Sequence, residues 1–102
     1  MSVQGDEDFR RLCFWLFFAT RGGKTRLNII RTIMLEPMNT NQLSLRLKLN
    51  YRTVEHHLNI LVRNGFVEKV GDGYAETFFP SRTAEGNIKC LEELEARYGE
   101  RA

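Results

Sequence analysis

The chain has 102 residues, 42% of them hydrophobic and 27% charged, with a net charge of +2. That length holds one domain and leaves no room for a second core, and the composition excludes general disorder. Its middle is basic and both ends are acidic, a distribution that suits a polyanion-binding centre flanked by segments with another task.

Little before Asp6 can be buried, so the first helix is expected to start there, with Asp6, Glu7 and Asp8 at its positive dipole end. It continues through FRRLCFWLFFAT and stops at Gly22-Gly23. The apolar run LCFWLFFA at 12–19 is far shorter than the roughly 20 residues of a membrane span, so no membrane insertion is expected. A helix apolar nearly all round must be covered on more than one side. That makes Phe14, Trp15, Phe17 and Phe18 candidates for a subunit interface.

A second helix is expected over Lys24–Leu35, with Leu27, Ile30, Ile33 and Met34 on one face and Pro37 ending it. Thr40 or Asn41 can cap a short third helix, QLSLRLK, with Leu43 and Leu47 at i, i+4. Asn50 is a good N-cap for the fourth helix, which runs to Asn64 and meets Gly65 as its left-handed stop. FVEKV and YAETFF about the tight GDG at 71–73 then predict a β-hairpin. Ser81 can cap one last helix carrying Ala84, Ile88, Leu91, Leu94 and Tyr98 in a stripe, weakened by Gly86.

The fourth helix, in NYRTVEHHLNILVRN, is the most informative stretch. At about 100° per residue, Val54, Leu58 and Leu61 form its buried face, with Tyr51 and Val62 on the flank. Arg52, His56, Asn59 and Arg63 fall on the opposite side, with Thr53 beside them. His56 and His57 are adjacent and cannot converge on one ion, since two helical ligands need i, i+3 or i, i+4 spacing. His56 is expected to point outward. His57 is expected to lean toward the core edge and bond a backbone carbonyl. Arg and Asn hydrogen-bond base edges, and the first turn of such a helix is the part that enters the major groove. With the short helix before it and the hairpin after it, the unit reads as a winged helix-turn-helix.

The run NQLSLRLKLNYRTVEHHLNILVRNGFVEKVGDGYAETFFPS resembles the winged helix-turn-helix of ArsR-type transcriptional regulators. The matching elements are Thr53, Val54, His56, His57, Leu58, Leu61 and Gly65-Phe66-Val67, and the wording LKLNYRTVEHHL most resembles archaeal members. The resemblance implies a mainly α fold with a β-hairpin wing and five helices, one domain over 1–102. A winged-helix core at 24–80 is flanked by dimerisation helices at 6–20 and 82–99. It further implies a homodimer that binds double-stranded DNA, with recognition helices 51–64 about 34 Å apart on a pseudo-palindromic site. The implied DNA-contacting set is Gln42, Ser44, Lys48, Asn50, Tyr51, Arg52, Thr53, His56, Asn59, Arg63, Lys69 and Tyr74. The implied dimer interface adds Ile88, Leu91, Leu94 and Tyr98 to the four aromatic positions of helix 1.

The family's Cys-x-Cys metal site would fall on Gln42-Leu43-Ser44-Leu45, which has no cysteine, and the last helix has no histidine for the second known type. No metal and no cofactor are therefore expected. Glu55 stands where Ser is common, Lys48 where the turn often has Gly, and Asp72 at the wing tip. Neither a nucleophile–base set nor a phosphate loop points to an enzyme. Cys13 and Cys90 form no C-x-x-C motif and fit a reducing cytoplasm. They read as buried small hydrophobes, or alternatively as a thiol pair where the first and last helices meet. The competing function is a winged helix used for protein contact, in a transcription or membrane-associated assembly.

Overall fold

The computed structural model describes residues 3–73 and 76–99, with side chains from Glu7 onward. Helix α1 (Val3–Phe14) passes directly into a π-helical turn over Trp15–Ala19. Thr20 Oγ1 donates to the Trp15 carbonyl at 2.9 Å and closes that turn. The helix begins three residues before the expected Asp6, so Glu7 and Asp8 lie inside it, and the side chain of Asp6 falls outside the described set.

Helices α2 (Gly23–Leu35), α3 (Thr40–Leu47) and α4 (Tyr51–Arg63) follow. The cap of α3 is Asn39, neither Thr40 nor Asn41. Its side chain accepts from the Gln42 backbone while Gln42 Oε1 accepts from the Asn39 backbone, a reciprocal capping box. Thr40 is buried as the first helical residue instead. Lys48 ends α3 in the left-handed region (φ 57, ψ 46), as the tight turn to α4 demands. Ser44 Oγ donates across that turn to the Leu49 carbonyl at 2.6 Å.

Asn50 caps α4 as expected, accepting from the Arg52 backbone at 2.7 Å. At the other end Gly65 has φ +80, its N–H bonds Val62 O, and Phe66 N–H bonds Leu61 O at 2.9 Å. This paired arrangement satisfies carbonyls that a helix C-terminus leaves open.

Strands β1 (Val67–Val70) and β2 (Thr77–Pro80) pair antiparallel, Val67 opposite Pro80 and Val70 opposite Thr77. Among the described residues the second strand begins at Thr77, later than the expected YAETFF, and Tyr74 and Ala75 of that run lie outside the described residues. Phe78 N–H also bonds Met38 O at 2.9 Å, tying the segment between α2 and α3 to the hairpin edge.

The last helix is two helices, α5 (Arg82–Gly86) and α6 (Ile88–Tyr98), giving six α-helices among the described residues in place of the five expected. Asn87 leaves helical geometry (φ −125, ψ 25), and its side-chain amide donates to Thr83 O at 2.8 Å. Gly86 lowers helix propensity where Asn87 offers this local alternative, so the chain breaks there.

All elements share one core. Leu27, Ile29, Ile30 and Ile33 of α2 meet Leu16 and Phe17, Val54, Leu58 and Leu61 of α4, Phe66, Phe78, and Leu91 and Leu94 of α6. Phe66 stacks on Phe9 at 5.6 Å and meets Phe17 edge to face at 5.4 Å. Each such fully buried side chain contributes about 1.5–3 kcal/mol relative to exposure. The result is a mainly helical, winged helix-turn-helix fold.

Candidate nucleic-acid interface

Burial of Val54, Leu58 and Leu61 at 0% exposure fixes the rotation of α4. The same rotation leaves Arg52, Thr53, Glu55, His56, Asn59 and Arg63 exposed, with Tyr51 half exposed at the first turn. Lys48 is exposed at the turn that precedes them. These side chains form one basic and polar surface along the helix.

Other candidate residues serve local structure. Gln42 is exposed but held in the α3 capping box, Ser44 is bonded to Leu49, and Asn50 is spent on the α4 cap. Lys69, on β1, lies 3.5 Å from Glu76 across the hairpin, which partly neutralises it. Tyr74 lies outside the described residues.

The two histidines part as their helical spacing requires, His56 exposed and His57 half-buried, though their rings still touch edge to face at 5.1 Å. Among the described residues, His57 bonds a side chain in place of the backbone carbonyl expected. Its Nδ1 lies 3.1 Å from Nη1 of Arg26, a buried residue of α2. Guanidinium has only donors, so Nδ1 must be the acceptor and the ring proton sits on Nε2. Burial, then the Arg26 and His56 charges, lower the His57 pKa below its usual 6.5 and keep the ring neutral.

Arg26 is 4% exposed and has no carboxylate partner among the described residues. Its Nε donates to Leu16 O at 2.8 Å and its Nη2 to Thr20 Oγ1. Both acceptors belong to the C-terminal end of the first helix, where open carbonyls and the negative dipole end accommodate a cation. Desolvation lowers the Arg26 pKa, but guanidinium stays charged. Gly22 makes the approach possible: a Cβ there would sit 2.4 Å from His57 Cε1 and 2.6 Å from Arg26 Nη1. Sequence reasoning overlooked Arg26. The signal was a lone charge on the stripe that includes Ile30 and Ile33.

On the opposite side, α6 packs against α1 within the same chain. Phe14 and Tyr98 meet edge to face at 4.8 Å, and Arg10 pairs with Glu93 at 3.1 Å. Phe17, Leu91 and Leu94 face this chain's core, at 2%, 5% and 4% exposure. Trp15 (51%) remains open, with Phe14, Phe18 and Tyr98 half-buried at that end of the helix pair, and Ile88 (40%) is open at the start of α6. Cys13 is fully buried, and burial, together with the neighbouring Cys90, pushes its thiol up to about 12. Such a thiol is a poor nucleophile at neutral pH.

No helix among the described residues is long and apolar enough to cross a membrane. Residues 23–69 match the family described as "Bacterial regulatory protein, arsR family". No curated protein matches the chain in sequence. Among solved structures, reduced HlyU from Vibrio cholerae N16961 superposes with a TM-score of 0.63 at 19% identity, covering 94% of this chain and 93% of that one. AbfR of Staphylococcus epidermidis gives 0.67 at 15% identity over 88% of this chain and 61% of its own. The transcriptional regulator Tm0710 from Thermotoga maritima gives 0.59 at 21% identity over 98% and 78%. Residues 23–69 thus match the arsR-family helix-turn-helix, and the chain has an ArsR-like winged helix-turn-helix fold.

Proposed function

We propose that the protein is a cytoplasmic, homodimeric transcriptional regulator that reads double-stranded DNA in a sequence-specific way with α4 in the major groove. The observation that carries this reading is the division of α4 into a fully buried apolar face and an exposed face of Arg52, Thr53, His56, Asn59 and Arg63. Arg and Asn supply the donor patterns that base edges match, while Tyr51 and Thr53 in the first turn, and Lys48 in the turn before it, are available to phosphate. The exposed Trp15, with half-buried Phe14, Phe18 and Tyr98 at the same end of the helix pair, supports dimerisation, since an exposed Trp beside apolar neighbours gains most by being covered.

Selecting bound duplexes from a random DNA pool tests the reading, followed by titration of the selected duplex at two salt concentrations. A palindromic consensus, with affinity that falls as salt rises and drops in Arg52→Ala and His56→Ala, is the expected result. Absence of binding at low salt, together with capture of a stable protein partner, would instead support a winged helix that makes protein contacts.

A further inference from the structure

A buried guanidinium with no carboxylate is costly unless its donors are satisfied. Arg26 satisfies them on two other parts of the fold and so links three. Leu16 O and Thr20 Oγ1 lie at the end of the first helix, Arg26 itself belongs to α2, and His57 Nδ1 belongs to α4. Hydrophobic contacts hold α4 on the core but are not directional. The Arg26–His57 bond is directional, and it ends one residue from His56 and four from Thr53 on the exposed face. The near contact that Gly22 would make with both side chains shows how closely the turn, the guanidinium and the imidazole are fitted.

We infer that Arg26 is a positioning residue for α4, orienting the Arg52–Thr53–His56 surface through the neutral imidazole of His57. The inference rests on the DNA-binding reading of that surface. The bond works in one protonation state only. If His57 gains a proton, Nδ1–H faces an N–H donor of a cation that cannot discharge, and the acceptor is lost. Arg26 remains tethered to Leu16 and Thr20, so the displacement falls on His57 and α4. The charged and titratable groups facing His57 are Arg26 from α2 and His56 from α4. No carboxylate is among them to stabilise the imidazolium. Acidification should therefore weaken DNA binding through His57.

With His56 replaced, His57 is the one histidine left in the sequence. Affinity for the selected duplex is measured at pH 8.0 and pH 5.5 in a His56→Gln background, alone and with His57→Asn, whose amide oxygen replaces the Nδ1 acceptor without titrating. The imidazole NMR shift of His57 records its protonation. The expected result is a several-fold loss at pH 5.5 in the background protein, below about tenfold because the His57 pKa lies under 6.5. The His57→Asn protein should show a flat profile and affinity within about threefold at pH 8.0. Arg26→Lys, which keeps charge but cannot reach three acceptors, should bind weakly at pH 8.0 with unchanged helix content. Affinity unchanged while His57 becomes protonated, or full affinity in Arg26→Lys, would overturn the inference and leave the DNA-binding reading intact. Should Arg26→Lys fail to fold, the His57→Asn profile decides. Absence of duplex binding at pH 8.0 removes the DNA-binding reading and this inference with it.

Discussion

Ser81 Oγ donates to the Gly65 carbonyl at 2.7 Å while accepting from the Ala84 backbone at 3.1 Å, so one buried hydroxyl joins the end of α4 to the start of α5. Its own N–H bonds Phe66 O at 2.9 Å. Ser81→Ala removes an N-cap and leaves the Gly65 carbonyl without this donor. A loss of about 1–2 kcal/mol in urea-unfolding stability is expected. A change of a few tenths would mean that another donor replaces the hydroxyl.

Lys48 sets stability against recognition at a single position. Its left-handed backbone (φ 57) costs a non-glycine residue about 1–2 kcal/mol, against roughly 0.5–1 kcal/mol of extra unfolded-state entropy for glycine. Lys48→Gly should therefore gain up to about 1 kcal/mol of stability. The same change removes an exposed cation from the face offered to phosphate. The slope of log affinity against log salt should become shallower by about 0.9. Higher stability with an unchanged salt slope would place Lys48 outside the DNA contact.

The neutral His57 carries a stability prediction that needs no DNA. Its folded pKa lies below the ordinary 6.5, so around pH 6 the unfolded chain binds more protons than the folded one. Stability then rises with pH through that window, is complete above the unfolded pKa, and is lost as pH falls below it. Urea midpoints should decline from pH 7.5 to 5.5, above the range where carboxylates titrate. His57→Asn should flatten the part of the decline due to this group. An unaltered decline in that variant would assign the dependence elsewhere.

How much of this was legible in the sequence depended on whether an interaction was local. The stripe of Val54, Leu58 and Leu61, the Asn50 cap and the Gly65 stop follow from spacing and short-range hydrogen bonding, and all appear in the fold. Asn39 was overlooked because Thr40 and Asn41 are equally good caps in isolation, and only the reciprocal bond with Gln42 selects the cap. The break at Asn87 arises from a side-chain bond to Thr83 competing with an intact helix. Arg26 and His57 stand 31 residues apart, and no periodicity within either helix connects them. The packing of α2 against α4 brings them together.

The apolar stripes of the flanking helices divide between the chain's own core and its surface, which makes the proposed dimer separable from folding. Leu94 and Trp15 lie on those helices at 4% and 51% exposure. Leu94→Glu places an unpaired carboxylate in the core, where desolvation costs several kcal/mol, and should unfold the protein. Trp15→Glu places the same charge where water already reaches in the single chain. It should retain helix content and cooperative unfolding while sedimenting as a monomer. Because paired recognition helices gain affinity by binding one site together, that monomer should bind a palindromic duplex far more weakly than the parent and a half-site about equally. A Trp15→Glu protein that stays dimeric would move the subunit contact away from the Trp15 surface.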